Sequence, residues 1–445
     1  MNFLPNTDKD RAEMLKTIGV KSTADLFSDI PDSLKFKGQM NLPAALSESE
    51  LAGLMKGMAA KDAAANYATF IGAGAYDHHV PSVVHHVLAR SEFYTAYTPY
   101  QPEVSQAVLQ SIFEYQTMIC ELTGMDASNA SMYDGPSAAA ESVTIACGLT
   151  RRDKALVSRT IHPETRVVTK TYAAGHSIAV EEVPMENGVT SVAALEKMLS
   201  PEIGCLVIQQ PNFLGNLEPV DEISAKVKAV GATLIVAVNP ISLGLLRTPA
   251  EYGAEIVVGE GQVLGNPMGF GGPYLGLLAV KDKYLRRMPG RLVGETTDVR
   301  GQRGFVLTLS TREQHIRRER ATSNICSNQA LCALSAAVYM SWLGKQGVKD
   351  LAEHCVKKAH YLAGKISSLK GYSLAWNTPF FNEFAVKCPV APEKVVKSLL
   401  GKNILAGYPL GKDYPELKDY LLIAVTEKRT KKEMDDLVSG MEVLA

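Results

Sequence analysis

An α/β fold built on a mainly parallel sheet is the class this sequence predicts, on three observations. Between residues 126 and 280, short apolar runs alternate with helical stretches. The runs are "KALVSRT", "IAVEEVP", "IGCLVIQQP", "TLIVAVNP", "AEIVVGEG" and "LGLLAVKD", and helix-forming segments lie near 163–174, 190–199 and 219–230. Most of the runs are apolar almost end to end, as strands are when helices cover both faces of their sheet. Composition completes the picture: of 445 residues, 46% are apolar and 21% charged, which is ample for a packed interior.

The flanking segments divide the remainder. Residues 1–70 read as amphipathic helix, with start signals at Ser22-Thr23-Ala24-Asp25 and Ser47-Glu48-Ser49-Glu50. Residues 71–330 are expected to form the large α/β domain, entered through the polar-aromatic loops "FIGAGAYDHHVPSVVHHV" and "EFYTAYTPYQPEVSQ" and a helix over "AVLQSIFEYQTMICELTGM". A charged entry and long helix are expected over 309–344. Residues 331–445 then read as a linking helix and a small α+β unit, with strands at "NEFAVKC" and "YLLIAVT" and helices near 392–401 and 429–443.

Charge and cysteine usage exclude several function classes. The 46 basic and 47 acidic residues give a formal charge of −1, with no electrostatic footprint for nucleic acid or an anionic membrane. Apolar runs are strand-length and the N-terminus lacks a signal-peptide core. Seven scattered cysteines without a CxxC pair suggest neither zinc knuckle nor disulfide framework. A cytoplasmic, oligomeric enzyme is the class these facts fit.

Four segments are candidates for chemistry, each with a plainer alternative. In "NASMYDGPSAAAES", Gly135-Pro136-Ser137 opens an alanine-rich helix whose N-terminus suits phosphate, or is simply well capped. Tyr94, Tyr97 and Tyr100, with Thr98 among them, suit a ligand mouth or subunit interface, or pack under a loop. His162 follows a strand end, where ligands gather in open α/β sheets, although a lone histidine there is commonly structural. The arginines of "TREQHIRRERATSN" (Arg312, Arg317, Arg318 and Arg320), with Arg303 upstream, suit carboxylate or phosphate, or form a solvated helix start paired with Glu313 and Glu319. No metal is expected: His78-His79 and His85-His86 have no flanking carboxylate beyond Asp77. The stretch "GEGQVLGNPMGFGGPYLG" has seven glycines in eighteen residues, as where backbone approaches a ligand, yet it is neither a Walker A loop nor a dinucleotide fingerprint.

Taken in order, "FIGAGAYDHHVPSVV", "FYTAYTPYQPEVSQ", "LTGMDASNASMYDGPSAAAES", "NPMGFGGPYLGLLAV" and "STREQHIRRERATSNICSNQALCAL" resemble the P-protein, or glycine decarboxylase, of the glycine cleavage system. They match its N-terminal half, which in many bacteria is a separate subunit 1, or alpha, and the resemblance runs from about residue 5 to the end. It implies a pyridoxal-phosphate enzyme fold of the aspartate-aminotransferase type, fold type I. It also implies membership of a complex, an α2β2 heterotetramer, that decarboxylates glycine and passes the aminomethyl group to the lipoyl arm of H-protein.

Such a cofactor needs a lysine for its Schiff base and an acid against its pyridinium nitrogen. Here no lysine lies between Lys228 and Lys281, Gln262-Val263-Leu264 occupy the expected lysine region, and "TLIVAVNP" ends in the neutral Asn239. The resemblance therefore places pyridoxal 5'-phosphate on a homologous, lysine-bearing subunit 2, or beta. Gly135, Ser137, His162, Asn239 and Gln262 are left as a vestigial cradle. Tyr97, Thr98 and Tyr100 are candidates to reach the partner's active site or the lipoyl path, and Arg320, Thr322 and Asn324 to bridge subunits near a phosphate. A purely structural or docking subunit is the alternative. A self-sufficient enzyme using Lys170 is disfavoured, because that lysine falls inside a helix.

Overall fold

The computed structural model describes residues 6–269, 272, 274–325 and 329–444, and Cys326 and Gly271 lie outside these described residues. Two compact units are present, Met1–Ala65 and Asn66–Ala445. In the first, helices span Asp8–Ile18 and Glu48–Ala59, and both carry full capping boxes, from Thr7 with Asp10 and from Ser47 with Glu50. The start signal at Ser22 produces only a 3₁₀ turn, Thr23–Phe27. Pro31 limits its extension, since the residue before a proline is pushed out of the helical region. Neither helix has a buried residue.

The second unit is organised by a seven-stranded sheet. Its strands are β1 (Ala127–Ser128), β2 (Lys154–Ser158), β3 (Ala179–Val183), β4 (Ile203–Gln210), β5 (Thr233–Val238), β6 (Ile256–Glu260) and β7 (Gly276–Val280). They lie in the order β1-β7-β6-β5-β4-β2-β3. Strands β2 to β6 pair in parallel, whereas β7 runs antiparallel to both β6 and β1. The reversal at β7 follows from the glycine-rich connection after β6, whose described residues contain no helix to carry the chain back across the sheet. The edge strand β3 is the one that alternates, and its Glu182 pairs outward with Arg166 and Lys170.

Alternate residues of the central strands feed two separate cores. Leu156, Leu206, Ile208, Leu234, Val236 and Val257 pack on one face with Ile223 and Val227 of helix Val220–Ala229. Ala155, Val157, Cys205, Val207, Ile235 and Val258 pack on the other with Ala138, Ala139, Val143 and Ala146 of helix α1 (Gly135–Thr150). This two-sided burial is why the strands read as continuous apolar runs. The long helix begins at Ala330 and continues to Ser367, broken at Gly344 (φ 60°). Its charged entry, by contrast, is a series of short turns over Ser310–Arg320. Beyond it a four-stranded antiparallel sheet includes Glu383–Lys387 and Tyr420–Ala424, with helices Pro392–Leu400 and Lys431–Glu442.

Candidate functional site

A cavity of about 290 Å³ opens at the carboxyl edge of the parallel strands, where open α/β sheets bind ligands. Gln209 of β4, Val238 ending β5 and Asn239 after it, and Glu260 ending β6 form its floor. Asp134, Gly135 and Pro136 at the start of α1 stand on one side, with His162, Glu164 and Thr165 at the start of α2 (Pro163–Gly175) beside them. Residues 73–76 form the remaining wall. The structure thus gathers three of the five cradle candidates, Gly135, His162 and Asn239, around one space.

Each is occupied by the chain itself. The Gly135 N–H donates to Glu260 Oε2 at 3.0 Å, and the Ser137 N–H to the Asp134 carboxylate at 2.7 Å. Asn239 Oδ1 accepts the Ile241 N–H, capping a 3₁₀ turn. His162 accepts the Glu164 N–H at Nδ1, which leaves Nε2 as the donor to the Ala73 carbonyl at 2.9 Å. Burial lowers its pKa, favouring the neutral ring.

Gln262 does not line the cavity. It is buried and clamps the wall: its Oε1 accepts the Tyr76 N–H, and its Nε2 donates to the Tyr76 and Asn266 carbonyls. Glu383, from the small sheet, grips the same wall through the Ala73 N–H and the Tyr76 hydroxyl, both at 2.7 Å. Glu260 Oε1 accepts the N–H groups of Gln262 and Leu275 as well. Burial outweighs these three donors and moves the Glu260 carboxyl up to about 7. Burial likewise moves Glu383 to about 7.

The remaining candidates lie elsewhere. Tyr97 is 79% exposed and Tyr94 is also exposed, while Thr98 is half-buried. Tyr100 accepts a hydrogen bond from Arg291 at 3.0 Å, and Arg291 pairs at 2.5 Å with the buried Glu313. The arginine run therefore divides. Arg312 turns inward to the carbonyls of Met288 and Gly290, whereas Arg317, Arg318 and Arg320 are exposed. Of the four histidines at 78, 79, 85 and 86, His78 alone is buried, bonding Glu427 at 2.6 Å near Cys355, and His79, His85 and His86 face outward. Lys170 lies in α2, paired with Glu182.

Thr322 and Asn324 flank Ser323, whose hydroxyl donates to Glu141 of α1 at 2.8 Å. Glu141 is buried, which moves its carboxyl from 4.5 up to about 7. A carboxyl raised in the folded state holds its stability below pH 4.5 and loses it as pH rises through 7. The Glu141→Gln chain keeps an oxygen for Ser323 and carries no such loss. It is expected to gain about 1–2 kcal/mol over the wild type at pH 8 and little at pH 4.5, read from urea unfolding at the two pH values.

Residues 1–441 match the family model for the glycine cleavage system P-protein. A protein of Carboxydothermus hydrogenoformans named "Probable glycine dehydrogenase (decarboxylating) subunit 1" is 55% identical over 439 residues, covering 98% of each chain. Its namesake in Desulforamulus reducens is 52% identical over the full length of both. The chain belongs to the glycine cleavage system P-protein family. A crystal structure of glycine decarboxylase (P-protein) in inhibitor-bound form superposes on this chain with a TM-score of 0.91, 42% identity and complete coverage of both. A sphingosine-1-phosphate lyase of Burkholderia pseudomallei shares the fold alone, at TM-score 0.66 and 13% identity over 93% of this chain and 96% of that one. The fold is that of the pyridoxal-phosphate enzymes of fold type I.

Pyridoxal phosphate does not fit the residues present in this member of the P-protein family. The cavity lining contains no lysine, the α1 N–H that would meet a phosphate faces Glu260, and the strand-end residue Asn239 is neutral. Glu260 is the cavity residue that an eye for lysine passes over. An acid inside a glycine-rich turn at a strand end was the available signal. Tyr76 and Glu383 gave none, being 307 residues apart.

Proposed function

We propose that this chain is the alpha subunit of a heteromeric glycine decarboxylase. A homologous, lysine-bearing subunit 2 holds pyridoxal 5'-phosphate, and the two assemble as α2β2 in the cytoplasm. The assembled enzyme decarboxylates glycine and delivers the aminomethyl group to lipoylated H-protein, while the pocket of this chain is silent. The observation that carries the reading is the absence of any lysine from 229 to 280, the stretch that supplies much of the cavity floor, in a chain matched end to end by proteins named subunit 1. Among the described residues no helix is long and apolar enough to cross a membrane. The exposed Tyr97 and Arg320, with Thr98, Tyr100, Thr322 and Asn324 beside them, are the surface this reading assigns to the partner.

Borohydride reduction tests it. With pyridoxal phosphate, this chain alone is expected to yield no pyridoxyl-lysine by peptide mass spectrometry. Co-expression with subunit 2 is expected to give glycine-dependent exchange of carbon dioxide, with the pyridoxyl label on subunit 2. A stoichiometric pyridoxyl-lysine on this chain overturns the reading.

A further inference from the structure

An α-helix begins with free N–H groups and the positive end of its dipole, which is what makes it a seat for phosphate. At α1 no such group is left over. The Asp134 N–H donates to Ser137 Oγ, the Gly135 N–H to Glu260 Oε2, Pro136 has no N–H, and the Ser137 N–H returns to the Asp134 carboxylate.

We propose that the Glu260 carboxyl is a built-in occupant that closes this cradle, so that the pocket excludes phosphate and phosphate esters whether or not a lysine is present. The inference goes beyond the subunit reading, because a chain without the lysine could still hold a phosphate ester noncovalently.

Three features carry it. Glu260 is anchored at both ends of the glycine-rich loop as well as at the helix: its Oε1 receives the Gln262 and Leu275 N–H groups at 3.0 Å each. An incoming phosphate that displaced it would gain the Gly135 N–H and strand the two loop donors, each of which costs free energy when left unpaired. Charge opposes entry too. The cavity lining holds Asp134, Glu164 and Glu260 but no lysine or arginine, and His162 has both ring nitrogens bonded to backbone. Two carboxyl groups, Asp134 and Glu260, already meet the positive end of α1, so a phosphate dianion would arrive against the charge of Asp134 and, above about pH 7, against that of Glu260 as well. Space is the third. The α1 N-terminus lies so close to β6 that a Cβ on Gly135 would stand 3.2 Å from the Glu260 nitrogen and 3.3 Å from the Gly259 carbonyl carbon. Helix start and strand end are thus packed together, which keeps the Glu260 carboxyl against the α1 N-terminus.

The test uses the full-length chain, inorganic phosphate and pyridoxal 5'-phosphate, with chloride at matched ionic strength as control. Isothermal titration and thermal unfolding of the wild type are expected to show no phosphate-specific heat and no phosphate-specific rise in Tm. Glu260→Ala is expected to unfold at lower temperature in phosphate-free buffer. It should then bind phosphate at least about tenfold more tightly than the wild type and recover part of its Tm. If Glu260→Ala loses its fold, Glu260→Gln serves instead: its oxygen keeps the loop contacts and its amide leaves the Gly135 N–H to phosphate. Specific phosphate binding by the wild type overturns the inference, as does a folded variant with no gain. Phosphate bound by the wild type without a borohydride-stable lysine adduct defeats this inference and leaves the silent-pocket reading standing. An adduct defeats that reading instead.

Discussion

Replacing Glu383 with alanine is expected to lower the unfolding free energy by about 3–5 kcal/mol, seen as a lower urea midpoint with an unchanged slope. The size follows from what the carboxyl holds. It is buried, and it accepts the Ala73 N–H and the Tyr76 hydroxyl, so its removal leaves two donors without partners inside the protein. Glycine at 72 makes the approach feasible, since a Cβ there would stand 2.3 Å from Glu383 Oε1. Tyr76→Phe removes one of the two contacts and is expected to cost only about 1–2 kcal/mol. The double variant should cost less than the sum, because both substitutions delete the same bond. The Glu383 carboxyl is raised to about 7, so wild-type stability from it is full below pH 4.5 and falls as pH rises through 7. Glu383→Gln is therefore expected to cost most in acid and progressively less toward pH 8. The consequence reaches the cavity, because the wall that loosens is the one bearing Tyr76.

How much of this was legible depended on distance along the chain. The parallel sheet was legible because burial on both faces writes each strand as a local apolar run, and β2 to β6 fall inside the predicted segments. Helix α1 was legible from Gly135, Pro136 and Ser137, near neighbours that open it, although its cap, Asp134, was not singled out. The wall of the cavity was not, since Gln262 meets Tyr76 across 186 residues and Glu383 meets it across 307. The division of the arginine run was not legible, for the same reason. Its members look alike in sequence, and which one turns inward is decided by carbonyls of Met288 and Gly290 that belong to another segment. The described glycines of 259–276 read either as close backbone approach to a ligand or as dihedrals that other residues avoid. In the structure they admit the protein itself: at Gly265, with φ 79°, a Cβ would stand 2.6 Å from the Cβ of Tyr339. A count of glycines reports close approach without saying what approaches.

Gly276 is where that difference has its largest consequence. It exchanges backbone hydrogen bonds with Met132, its N–H to the Met132 carbonyl and its carbonyl to the Met132 N–H. A Cβ at this position would lie 2.4 Å from the Asp134 carbonyl oxygen and 2.5 Å from the Cβ of Met132. Neither neighbour can give way cheaply: one is the backbone of Asp134, the residue that caps α1, and the other belongs to the fully buried Met132. Gly276→Ala must therefore either break the Met132 pairing or displace the cap. Overpacking and the lost cap together are expected to cost about 2–5 kcal/mol. Gly175→Ala is the control. It lies at the end of α2 with nothing within 4 Å of the added carbon, and is expected to change stability by no more than about 1 kcal/mol, in the stabilising direction. Hydrogen exchange separates a local from a global effect. In Gly276→Ala the amides of Gly135 and Ser137 should lose protection beyond the global change, because their acceptors, Glu260 and Asp134, are set by the spacing that Gly276 permits. Uniform loss across β4, β5 and α1 would instead mean that the start of α1 is held by packing along its buried face, with the Glu260 contact secondary.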